Sequence, residues 1–220
     1  MTSPLFIKKT EDCKIGNKVN FEKWHDIKAN LLVDAISAKP IKKKAKFKLL
    51  WSDKGFYIFF EVRDDHIWGT MKNDDDPIYE EEVVECFLGK GSRVPTEYYE
   101  FQFSPNKIKF DAKIRNPTGN RHDLGFKTEV SWDAPNLRFC QDIKLADLHN
   151  KKYKPGIWFT EVFIPWSDLG WNIGEGSELR GNFFRIDGYP KQSSFQAWQP
   201  TFEDPPNFHV PKRFGLLKLV

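Results

Sequence analysis

Two hairpins are written into the chain and limit its fold more than any other feature. Phe47-Lys-Leu-Leu-Trp51 and Phe56-Tyr-Ile-Phe-Phe-Glu-Val62 flank Ser52-Asp-Lys-Gly55, two β-favouring runs joined by an Asp/Gly turn. Tyr98-Tyr-Glu-Phe-Gln-Phe103 and Ile108-Lys-Phe-Asp-Ala-Lys-Ile114 flank Ser104-Pro-Asn-Lys107 in the same way. A period of two puts Tyr99, Phe101 and Phe103 on one face of the second hairpin and Tyr98, Glu100 and Gln102 on the other. Further strands are expected at 83–88, 126–132, 158–164, 182–187 and 214–219. The helix signal is one turn at Pro165-Trp-Ser-Asp-Leu-Gly170, opened by its proline and stopped by its glycine. Short strands broken by Gly, Pro, Asn and Asp predict an all-β fold, an antiparallel two-sheet β-sandwich of jelly-roll type. At 220 residues the chain fits one domain over residues 1–220. The 20 Phe and 8 Trp suit pleated strands more than helices.

Charge argues against a nucleic-acid partner. The net charge is +3, whereas nucleic-acid binding needs a clustered basic face. The one basic run, Lys39 to Lys48, holds six lysines and is expected to be a solvated loop or hairpin. Cys13, Cys86 and Cys140 have no zinc-like spacing and are odd in number, so a disulfide framework is not expected. No stretch has the length of a membrane span. The start, Met-Thr-Ser-Pro-Leu-Phe-Ile-Lys-Lys, lacks the pattern of a signal peptide. The expectation is a cytoplasmic chain with no membrane partner, or an extracellular one if a leader has been removed.

Chemistry-bearing residues concentrate in three places. Asp64-Asp65 and the block from Asp74 to Glu85 are acidic; loop carboxylates beside a strand can hold calcium, but without the EF-hand order a solvated acidic loop is the favoured explanation. Glu85 lies inside an apolar strand, where a carboxylate needs a partner. Arg185 and Asp187 repeat that pattern on another strand, on the face of Phe183. The last quarter carries Trp198, Phe202 and Phe208 on a Pro-rich loop, rings that either cap the core or bind something flat and partly apolar. His25, His66, His122, His149 and His209 have no ligand-like spacing, and His209 is singled out by its place in the aromatic loop. No nucleophile elbow, HExxH or phosphate loop occurs. Glu82, Glu85 and Asp187 supply the group type of a glycosidase without fixing a separation. A catalytic role is not expected.

Four pieces in order resemble the family 9 carbohydrate-binding modules and their family 9-like relatives, from about Trp24 to Val220. They are Leu50 to Ile58 with Val62-Arg-Asp64; Tyr79 to Leu88; Trp158 to Trp166; and Gly181 to Asp187 with Trp198 and Arg213 to Leu217. The resemblance implies a non-catalytic sandwich that grips a small sugar or a glycan chain end between two rings, with calcium buttressing loops. Carried over by motif position, the clamp rings are Tyr79 and Phe208, with Trp198 as a substitute. Glu85 and Gln102 would read the hydroxyls, joined by Arg185. The family's rings are tryptophans, and smaller rings stack less area. Two other readings stay open. One is a haem-binding electron-transfer sandwich using Met71 and a histidine such as His209. The other is a protein-interaction module without a sugar ligand.

Overall fold

The computed structural model describes residues 3–145, 155–188 and 194–220, so His149 lies outside the described residues. Two sheets face each other. One holds β1 (Leu5–Ile7), β14 (Gly215–Leu219), β12 (Glu178–Asp187), β6 (Val83–Lys90), β7 (Glu97–Phe103), β8 (Lys109–Arg115) and β9 (Lys127–Glu129) in that order. In the same sheet β13 (Ser194–Ala197) joins β12 to β3 (Val33–Asp34). The other holds β10 (Arg138–Leu145), β11 (Gly156–Pro165), β5 (Gly55–Asp64), β4 (Ala45–Trp51) and β2 (Asn30–Leu31). Pairing is antiparallel except where β1 runs parallel to β14, closing the two ends of the chain against one another. Both hairpins form with the expected register, Trp51 opposite Phe56 and Phe103 opposite Lys109. The strand expected at 126–132 shrinks to Lys127–Glu129, a wholly exposed edge.

The apolar runs are long because both sheets are covered on both faces. Between the sheets, Phe47, Phe56, Ile58, Phe60 and Val62 meet Val84, Cys86, Phe101 and Phe183. Outside the second sheet, Leu50, Tyr57, Phe59 and Phe159 are roofed by a strap carrying Val19 and Trp24. Hence β5 reads as continuous hydrophobe rather than strict alternation. Outside the first sheet, Val83, Phe87, Tyr98, Phe110, Phe184 and Ile186 form a third apolar layer. The turn after β11 ends at Gly170 with φ 64°, which an L side chain rarely adopts. All three cysteines are free.

Within the basic run, Lys43, Lys46 and Lys48 are engaged rather than solvated. Lys43 meets Asp187 at 2.9 Å, Lys46 meets Glu61 at 2.9 Å, and Lys48 donates to the Trp24 carbonyl at 2.5 Å. The strap itself is latched by Glu161, whose carboxylate accepts from the Trp24 indole at 3.0 Å and from Asn20 N at 2.8 Å. Glu161→Ala strands the buried Trp24 indole N–H in a dry layer and frees the exposed Asn20 end of the strap. The expected result is a loss of about 2 kcal/mol in denaturant melts and faster tryptic cleavage at Lys18 and Lys23.

Candidate binding site

Strand register places a polar patch in the middle of the outer apolar layer. Glu85 on β6 stands opposite Gln102 on β7, with Phe184 of β12 on its other side. Glu100 is two residues from Gln102 on the same face of β7, opposite Phe87. Three loops rise around this floor, and together they enclose a cavity of about 680 Å³, within the range of small-molecule sites. The 77–81 turn contributes Tyr79, the segment after β8 contributes Arg121 and Phe126, and the closing loop contributes Phe208 and His209.

Tyr79, Glu85, Gln102 and Phe208 therefore meet in one place. Their roles differ. Tyr79 is 41% exposed and stands edge-on to Phe110 at 5.9 Å, a ring that projects into solvent beside the floor. Phe208 is buried and lies flat on Phe184, centroids 4.1 Å apart and planes 14° apart, so one of its faces is already taken. Phe126, edge-on to His209 at 5.1 Å, is a wall that alternation did not mark.

Arg185 and Trp198 lie elsewhere. Arg185 pairs with Val84, and Phe184 with Glu85; an odd offset along the strand sends Arg185 into the space between the sheets. There it is fully buried, its Nη2 at 2.5 Å from Asp64 Oδ2, 2.8 Å from Glu82 Oε1 and 3.9 Å from Asp187 Oδ2. Trp198 is wedged beside Phe47 and Phe183, at 5.8 and 6.0 Å. A Cβ at Gly215 would come within 2.3 Å of its ring, so glycine is needed there. Phe202, exposed, carries Arg213 at 4.7 Å and is not part of the cavity wall.

The acidic groups were the calcium candidates. Asp64, Glu82 and Asp187 converge within 4.8 Å, but the Arg185 guanidinium sits among them, and that set does not fit a calcium ion while it does. Burial pushes Glu82 up to about 9. It is then a neutral acid, and Asp64 and Asp187 balance Arg185 and Lys43. In the Asp74–Asp76 loop, Asp76 Oδ2 accepts from Lys72 N and Asn73 N, and Asp74 Oδ1 accepts from Lys109 N. Lys109 Nζ bridges Asp111 and Asp133 at 2.7 and 2.9 Å.

The cavity floor has its own electrostatics. Glu85, 2% exposed, is pushed well above the carboxylate range by burial and by the nearby charge of Glu100. Its Oε1 makes no hydrogen bond, and neither does Gln102 Oε1. Gln102 Nε2 instead donates to Glu100 Oε1 at 2.5 Å. Burial lifts Glu100 to about 7, against the pull of that amide and of Arg121. His209 shares a 2.9 Å hydrogen bond between its Nδ1 and Tyr98 Oη, and its Nε2 faces Glu100 Oε2 at 3.8 Å. Burial and Arg121 lower it to about 3, so the ring is neutral and the Glu100 contact is not an ion pair. Glu100 was legible on its strand face; Arg121 and Phe126 sit in irregular backbone, where period carries no signal.

A two-sheet sandwich that covers one sheet face with loops, and encloses a ring-lined polar cavity there, is the architecture of a binding module. The chain belongs to the family described as carbohydrate family 9 binding domain-like, whose sequence model matches residues 15–220. A relative named extracellular protein, from Arthroderma benhamiae, is 30% identical over 184 residues, 79% of this chain and 77% of its own. The fold is shared with a putative carbohydrate-binding protein from Bacteroides uniformis, with TM-score 0.73, 18% identity and 99% of both chains covered. It is shared also with a family 9 carbohydrate-binding module from Caldicellulosiruptor kristjanssonii. That module is seen with glucose at TM-score 0.63 and with cellotriose at 0.62, at 18% identity over 99% of this chain and 96% and 93% of the module. Among the described residues no helix is long and apolar enough to cross a membrane.

Proposed function

We propose that this cavity binds a mono- or oligosaccharide, taking the end of a glycan chain, and does so without catalysis. The observation that carries the reading is the pairing of projecting rings with unmet acceptors: Tyr79 at the rim, Glu85 Oε1 and Gln102 Oε1 on the floor. A pyranose presents an apolar C–H face for the ring and hydroxyls for the acceptors, and few other small molecules present both. The family and the glucose- and cellotriose-bound neighbour support the same class of ligand. Glu85 and Glu100 stand side by side on one floor. Glycoside hydrolysis needs carboxyls flanking the scissile bond, so this arrangement supports holding a sugar rather than cutting it. An extracellular setting, as in the fungal relative's name, is where polymeric saccharides expose chain ends.

Calorimetry with glucose, cellobiose, cellotriose and a wider sugar panel tests the reading. A single module is expected to bind in the range of tens of micromolar, roughly −6 kcal/mol. Tyr79→Ala is expected to weaken binding roughly tenfold, about 1.4 kcal/mol, with an unchanged melt because the ring is exposed. Glu85→Gln is expected to weaken it further. No saturable binding to any saccharide, or binding indifferent to both substitutions, would sink the assignment.

A further inference from the structure

Resting on the reading of this cavity as a saccharide site, we propose that its preferred ligand is an amino sugar, with the ammonium seated between Glu85 and Glu100. The proposal starts from what the floor lacks. Among the described residues, the buried polar atoms of the cavity left without a hydrogen bond, Glu85 Oε1 and Gln102 Oε1, are both oxygens, and both are acceptors once Glu85 is ionised. The polar groups beside them are turned to one another: Gln102 Nε2 donates to Glu100, and the Tyr98 hydroxyl is in its bond with His209. His209 supplies no charge. Arg121, the one cation lining the cavity among the described residues, is exposed at its rim, where water screens it.

Two buried carboxyls with no buried cation beside them among the described residues form an unusual floor, because such groups, once ionised, are normally paired. Hydroxyls answer it poorly, since each brings one proton and two lone pairs that must avoid neighbouring acceptors. An ammonium brings three donors and no acceptor, and hydrogen bonds with an ionised partner are the stronger kind. Glu85 stands opposite Gln102 and Glu100 two residues along. Such diagonal positions lie roughly 7–8 Å apart, so one small cation between the two side chains reaches both. The same floor repels a uronate. Burial holds both carboxyls toward their neutral forms, so seating a cation ionises them and releases protons to the buffer. A hydroxyl at the same place drives no such release.

The test is calorimetry on the intact chain at pH 7 with glucosamine, its β-1,4-linked dimer, N-acetylglucosamine, glucose and glucuronate, each in two buffers of different ionisation heat. Glucosamine is expected to bind at least tenfold more tightly than glucose and N-acetylglucosamine, with proton release that glucose lacks, and glucuronate is expected not to bind. In Glu100→Gln the glucosamine-to-glucose affinity ratio is expected to fall to within about twofold of one. Glucose binding as tightly as glucosamine overturns the proposal and leaves the sugar site standing. An affinity ratio that survives Glu100→Gln overturns the seat assigned to the ammonium. Silence toward every saccharide overturns both readings together.

Discussion

Arg185→Leu is expected to destabilise the domain by about 3–5 kcal/mol, a large share of the stability of an ordinary domain. Arg185 is fully buried, and its Nη2 holds Asp64 and Glu82 while Nη1 donates to the carbonyls of Lys43 and Arg63 at 3.3 and 3.2 Å. Removing it takes the buried cation from Asp64 and Asp187, and Lys43, which meets both, is part-exposed. Breaking a buried cluster by taking one partner is far worse than replacing the whole cluster, because an uncompensated charge stays behind. Arg185→Lys is expected to fall between the wild type and the leucine variant: an ammonium can meet the carboxylates but cannot reproduce the guanidinium fork. Urea melts of the three proteins decide the matter. A leucine variant that melts like the wild type yet fails to bind sugar would move Arg185 from the core to the binding site.

That outcome bears on how far the sequence alone could be read. The hairpins were legible because turn chemistry is local: Ser52 to Gly55 and Ser104 to Lys107 fix their own register. The polar face of Tyr98, Glu100 and Gln102 was legible because period two operates within one strand. Whether Arg185 shares a face with Glu85 is a different kind of question. It depends on how β12 registers against β6, about a hundred residues apart in the chain, and a one-residue offset exchanges core for cavity. Each residue looked alike in sequence, a charge inside an apolar strand. Trp198 met a related limit. Its half-buried packing against Phe47 and Phe183 needs Gly215 beside it, a contact the aromatic loop does not announce. The parallel pairing of β1 with β14 joins the two ends of the chain and has no local signature at all. Arg121 and Phe126 reach the cavity on irregular backbone, so their contribution follows from where the loop folds rather than from any period.

The second large effect is a pH-dependent stability difference between the wild type and Glu100→Gln. Glu100 has an ordinary value of 4.5 and is held at about 7 in the folded chain. A raised carboxyl value means the unfolded chain gives up its proton first. Glu100 is therefore neutral in both states below about pH 4.5 and costs nothing there. Stability then falls as pH rises from 4.5 through 7. Above that window the cost levels off near 1.36 × 2.5, or about 3 kcal/mol. An isosteric amide at this position still accepts from Gln102 Nε2 and never ionises. Glu100→Gln is accordingly expected to match the wild type at pH 4.5 and to melt roughly 6–12 °C higher at pH 8. His209 works in the other direction. Held neutral with its value lowered to about 3 from 6.5, it removes stability as pH falls below 6.5, where the unfolded ring takes up a proton. The causes of its shift are burial and Arg121, not Glu100, so this loss is common to both proteins and cancels in their difference. Melting curves at matched pH values between 4.5 and 8 read Glu100 together with Glu85, whose value the Glu100 charge raises. A gap that stays constant across the range would mean that the carboxylate is answered by a cation, and that the floor of the cavity does not carry the unmet negative charge on which its choice of ligand depends.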